Sequence, residues 1–214
     1  MIQNHLFIYN SNLFYFYNKC DSLRILIFVL LFFSQFPSFS QKNVIPWTED
    51  LDSTFSWDLF SKGTVPGGFH ALTTVEFIFK SDVIEDNQVV AKLEVLMDTR
   101  KSLYAKNIYK KSLPPQSLLD HEKLHFDIAE YSKRLFFQKI SSIKGKNVND
   151  IIKKIEKEFQ LSTKLVVSLQ KKYDKETNHS QNNIKQKMWE EDIKQKLIEL
   201  RDFSTNEMTL SVVN

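Results

Sequence analysis

The chain has 214 residues, too few for two full-sized domains, and 42% of them are hydrophobic, enough for a sizeable core. Its 4 Gly, 5 Pro and single cysteine exclude collagen-like and low-complexity chains, an intramolecular disulfide framework and a cysteine-based zinc finger. A net charge of +3, with Lys and Glu interleaved, leaves no nucleic-acid footprint.

Near the amino terminus, Ile25 to Phe33 reads ILIFVLLFF. Lys19 and Arg24 precede it and Ser38-Phe39-Ser40 follows. A positive region, a short apolar run and a small-x-small site form the layout of a secretory signal. The run is too short to cross a bilayer, which takes about 20 residues. The expectation is a signal peptide over 1–40 with a long leading region, cut after Ser40. A single domain over 41–214 would then be secreted or periplasmic, with no stable membrane insertion. Cleavage would remove Cys20, and a cysteine-free domain suits an oxidising compartment.

The first half of that domain alternates with period two. Val75, Phe77 and Phe79 share one face, as do Val89, Ala91, Leu93, Val95 and Met97. Turn formers between Asp82 and Gln88 predict an antiparallel pair, and Gly63, Pro66, Gly67 and Gly68 mark a loop upstream. From Ser117 the period becomes helical. A first helix is predicted to about Ile143, opened by a capping box of Ser117 and Asp120. A second, from about Asp150 to Lys172, carries Ile152, Ile155, Phe159, Val166 and Leu169. Thr177 to Asn183 reads as a loop. A third, from about Ile184 to Phe203, carries Trp189, Ile193, Leu197 and Leu200. The expected fold is α+β, a small antiparallel sheet in the N-terminal half packed on a helical C-terminal half.

His121-Glu122-Lys123-Leu124-His125 is H-E-x-x-H. On a helix, residues four apart project to one side, so both imidazoles can reach one zinc ion. Glu122 lies beside them, placed to take a proton from a metal-bound water. Ala129 and Ser132 are small, so another segment can approach that side closely. Asp120, Lys123, Asp127, Glu130 and Arg134 form a stripe on the other side, read as a solvated face with i,i+4 ion pairs. A catalytic zinc takes a third protein ligand. The longer H-E-x-x-H-x-x-G-x-x-H form is absent, since Ile128 and Tyr131 occupy its places. His179, in the polar break after the second helix, is the first choice. Glu156 comes next and Asp174 third.

Leu118-Leu119-Asp120-His121-Glu122-Lys123-Leu124-His125-Phe126-Asp127-Ile128-Ala129-Glu130 resembles the bacterial family called domain of unknown function 922, described as predicted secreted zinc-dependent proteases. Ser56 to Gly63 resembles that family's W-x-x-F-x-G segment, and Ala71-Leu72-Thr73 its A-x-T. Tyr173-Asp174-Lys175-Glu176-Thr177-Asn178-His179, with Gln186 and Trp189, resembles its Y-D-x-x-T-x-H-G…Q-x-x-W block. Ser180 stands where the family has Gly, Lys123-Leu124 where it has Gln-Gly, and Leu103 where it has Trp. The resemblance implies a zincin-like arrangement, with His121, His125 and His179 as zinc ligands. It implies an exported zinc peptidase acting on peptide or protein substrates, with Glu122 as general base. No sequence feature chooses among Tyr131, Tyr173 or another donor for the oxyanion. A zinc-stabilised envelope-binding module without turnover would need the same histidines but not Glu122.

Overall fold

The computed structural model describes residues 7–10, 43–85 and 87–212. Of the segment read as an export signal, only Phe7–Asn10 falls among them. The apolar run Ile25 to Phe33 and the cleavage position after Ser40 lie outside the described residues.

The architecture is α+β, with strands in the first half and three helices in the second. Strands β5 (Val75–Glu85) and β6 (Gln88–Asp98) form the predicted antiparallel hairpin, with Val75 opposite Met97 and Phe79 opposite Leu93. The period-two residues are buried: Val75, Phe77, Phe79, Val89, Ala91, Leu93, Val95 and Met97 all lie at or below 4% exposure. The far edge of β6 is shared. Strand β2 (Val44–Pro46) pairs with its end and β8 (Glu207–Ser211) with its start. Strand β1 (Phe7–Asn10) pairs with β5 on the other side, Phe7 opposite Phe79. A second small sheet joins β3 (Ser61–Gly63), β7 (Leu103–Ala105) and β4 (Ala71–Leu72), and β4 leads straight to Thr73 and Thr74.

The hairpin packs on helices α1 (Gln116–Ser141) and α2 (Val148–Thr177). Phe79 stacks on Phe159 of α2 at 4.3 Å between centroids and meets Phe136 of α1 edge-on at 5.9 Å. Such pairs add about 0.5–1.5 kcal/mol beyond burial alone.

The helix ends differ from the sequence expectation. The capping box at Ser117 does not form; α1 starts at Gln116 behind Pro115 without a side-chain cap, and Gln116 Nε2 donates to Asp120 Oδ1. Asn147, read as a breaker, caps α2 by accepting from the Asp150 amide at 2.9 Å. The helix runs past Lys172 to Thr177 and ends at Asn178 in the left-handed conformation, φ 48°. That additional turn keeps Tyr173 and Asp174 within α2. Helix α3 (Asn183–Glu199) buries Gln186, Trp189 and Ile193, and a short 3-10 turn holds Arg201–Phe203.

The largest correction concerns the polar stripe of α1, of which only Asp120 is exposed and Lys123 half-buried. Asp127, Glu130 and Arg134 lie at 1–7% exposure, as does their neighbour Lys133. The segment from Trp47 to Phe55 and helix α3 cover them. Trp47 Nε1 donates to Asp127 Oδ1 at 2.7 Å, and Arg134 Nη1 donates to the Leu197 carbonyl at 2.7 Å. Arg134 Nε and Lys133 Nζ both pair with Glu130, at 3.0 and 2.9 Å. Lys123 bridges Asp127 and Asp52, each at 2.6 Å. Burial works against the Lys123 charge, but those two carboxylates win and hold its pKa above the ordinary value. The i,i+4 pairs are those expected; their surroundings are not.

Candidate metal centre

His121 and His125 sit one turn apart on α1, and both face α2. The extended end of α2 places Asp174 opposite them. Its Oδ1 lies 3.2 Å from His121 Nε2 and 3.1 Å from His125 Nε2. The candidate ligand atoms of these three residues all lie within 4.8 Å of one another, a group that could hold a metal ion. His121 is sealed at 2% exposure, while the Asp174 side chain is 31% exposed. The group therefore opens on the Asp174 side, into a recess of about 400 Å³ lined by Lys171, Asp174, Lys175, Asn178 and His179.

Each imidazole is held from behind by a glutamine. Gln170 Nε2 donates to the His125 carbonyl at 2.7 Å, which turns its Oε1 onto His125 Nδ1. Gln186 Nε2 donates to Glu190 at 2.8 Å, so its Oε1 accepts from the Tyr173 hydroxyl at 2.7 Å and from His121 Nδ1 at 3.2 Å. Both amide orientations are thereby determined, and both place the imidazole proton on Nδ1. Tyr173, fully buried, stacks on the His121 ring at 4.5 Å and fixes its plane. Burial pushes its phenol far above the ordinary range, so it stays a neutral donor.

This backing has an electrostatic consequence. With Nδ1 protonated, each Nε2 presents a lone pair to a carboxylate oxygen unless a proton or a cation lies between them. Two protons would make two imidazolium rings, 4.9 Å apart, against one Asp174 carboxylate. Burial opposes protonation of His125, yet the charge and hydrogen bond of Asp174 push it up to about 9. Burial likewise opposes the Asp174 charge, and the imidazoles of His125 and His121 hold its carboxyl well below the usual range. One divalent ion carries the charge of those two protons and replaces both like-charged rings with neutral ligands. The residues present fit a metal such as zinc, which takes imidazole nitrogen and carboxylate oxygen.

His179, the ligand expected first from the sequence, lies at the rim beside Asp174 and outside the group of three. Its Nδ1 is 3.6 Å from Asp174 Oδ1, its side chain is 45% exposed, and its ring lies 4.7 Å from Phe69. Asn178, His179 and Ser180 all adopt positive φ, with Ser180 at 73°, the conformation a Gly would take more cheaply. Glu156 lies on α2 eighteen residues before Asp174, about 27 Å along the axis, and cannot share its ion. The small residues Ala129 and Ser132 admit α2: Ser162 Oγ donates to the Ser132 carbonyl at 2.9 Å. Glu122 is 4% exposed and lies about 60° around α1 from His125. Its Oε2 accepts from Thr73 Oγ1 at 2.8 Å. The Tyr173 hydroxyl is spent on Gln186 and the His121 carbonyl, which removes it as an oxyanion donor.

Sequence reasoning missed Gln170 altogether. It noted Gln186 only within the family block, without a role. Comparison with family models, curated proteins and solved structures gives no match to this chain.

Proposed function

We propose that this chain is an exported zinc-dependent peptidase that hydrolyses peptide bonds with Glu122 as general base. The observation that carries the reading is the pairing of His121 and His125, each fixed by a glutamine, on the single Asp174 oxygen, with Glu122 between the two histidines in sequence. His121, His125 and Asp174 would hold the ion, with His179 at its open side as a further ligand. Zinc bound there would polarise a carbonyl and lower the pKa of water towards about 7. Thr73 fixes one oxygen of Glu122 and leaves Oε1 to take the proton and pass it to the leaving amine. The recess along Lys171 to His179 gives an extended chain access from solvent.

A second reading, a zinc-stabilised binding module without turnover, draws on the same Thr73 contact. A buried Glu122 tied to Thr73 also serves as a strut between the strand half and α1. Metal analysis of the purified chain, with a peptide-library cleavage assay run with and without chelator, separates the two. Cleavage that chelator abolishes and zinc restores is expected. Glu122→Gln should keep the metal and lose turnover by at least about 10². Undiminished cleavage in that variant would remove Glu122 from the mechanism, and a zinc-loaded protein that cleaves nothing would favour the binding module.

A further inference from the structure

The recess beside the metal group has a charge pattern that the group itself does not need. Lys171 and Lys175 line it beside Asp174. They stand one turn apart on α2, with Cβ atoms about 5–6 Å from each other, and like charges at that spacing cost stability. Both are exposed, and neither has an ion-pair partner among the described residues. The nearest carboxylates are occupied elsewhere. Glu176 accepts from Trp189 Nε1 at 2.9 Å and faces Lys172, and Glu190 accepts from Gln186. Asp174, the one acid in the recess, has its Oδ1 on the imidazoles. With a divalent ion in place, this open recess holds a surplus of positive charge, and such a surplus attracts anions. At the rim, Phe69 is 44% exposed against the His179 ring and offers an apolar contact.

We propose that this recess recognises a carboxylate of the substrate, with Lys171 and Lys175 straddling it while Phe69 packs against the adjoining chain. The inference rests on the peptidase reading for its substrate being a peptide. The carboxylate is either an Asp or Glu side chain near the bond cleaved or the carboxy terminus itself. Both present the same planar anion to two ammonium groups.

The test measures binding apart from turnover. Zinc-loaded Glu122→Gln protein is titrated with fluorescent peptides of one neutral sequence in three forms: amidated with an internal Glu, unmodified with a free carboxy terminus, and amidated without an acid. At least one carboxylate-bearing form should bind ten-fold or more tighter than the uncharged one, and which form does so identifies the source. That preference should weaken with added salt. Lys171→Glu with Lys175→Glu should erase or invert it without changing affinity for the uncharged peptide. Lys153→Glu, an exposed reversal on the same helix far from the recess, should leave it intact. Equal binding of all three peptides, binding of none, or a preference that survives the double reversal would overturn the proposal. Cleavage by the unsubstituted protein is read separately. Turnover without charge preference keeps the peptidase and discards the carboxylate site; lysine-dependent binding without any turnover does the reverse.

Discussion

The two sides of α1 bury charge in opposite ways. On one side Lys123, Lys133 and Arg134 each have a carboxylate, with Asp127, Glu130 and Asp52 as partners and Trp47 closing the set. Each cation lies within ion-pair distance of a carboxylate, so the network needs no added charge. On the other side two imidazoles, their Nδ1 protons already committed, converge on one oxygen of Asp174. Here the protein's own groups do not balance without additional positive charge. A matched buried network is structural, because removing a member exposes an unpaired charge; a mismatched one is a place for a ligand.

Breaking the matched side should cost stability and leave the metal alone. Arg134→Met leaves Glu130 with Lys133 alone and removes the bond to the Leu197 carbonyl, so an unfolding free energy lower by about 2–3 kcal/mol is expected in denaturant titration. Zinc stoichiometry in the folded fraction should be unchanged. Breaking the mismatched side should cost the metal. Asp174→Asn removes the anionic ligand, so zinc affinity, read by competition with a chromophoric chelator, should fall by about 10² or more. The metal-free protein should also lose the stability that the His125–Asp174 pair contributes below pH about 9.

The glutamines come next in size. Gln186→Ala or Gln170→Ala frees one imidazole to rotate and to move its proton to Nε2, which should weaken zinc by about 10- to 100-fold. Gln170→Glu should recover part of that loss by accepting from the same Nδ1, which a mere cavity effect would not allow.

A separate expected effect is in pH. In the chelated protein His125 has a folded pKa of about 9, raised from 6.5. A raised histidine contributes stability that is complete below its unfolded value and lost as pH rises through the folded one. Stability of the metal-free protein should therefore decline between pH 6.5 and about 9. With zinc in place of the proton that decline should vanish. A metal-free stability that is flat or rising over that window would argue against the His125–Asp174 pairing.

What could be read in advance followed the kind of signal. The β5–β6 hairpin was legible because alternate burial leaves a period of two, and the H-E-x-x-H helix because two ligands one turn apart leave a spacing. The burial of Glu130 and Arg134 left no trace, since an i,i+4 pair has the same sequence in water and beneath α3. Asp174 ranks behind His179 in the sequence because His179 is the one histidine downstream of the motif and lies in the polar break after the second helix. Helix α2 runs on to Thr177, burying Tyr173 and Thr177, and within that turn Asp174 faces α1. Gln170 and Gln186 act through uncharged amides on different helices, where no pattern within one helix points to them. Strand β8 is five residues long and is recruited by the free edge of β6, a tertiary fact.

The central claim is that His121, His125 and Asp174 together hold one divalent ion. Zinc-edge X-ray absorption, with metal quantified per folded chain, addresses it most directly. One zinc per chain is predicted, with at least two imidazole nitrogens at about 2.0–2.1 Å and a carboxylate oxygen in the first shell. The imidazole signal should be lost in His121→Ala. A chain that retains no zinc after dialysis, or retains it unchanged when His121 is removed, would contradict the account.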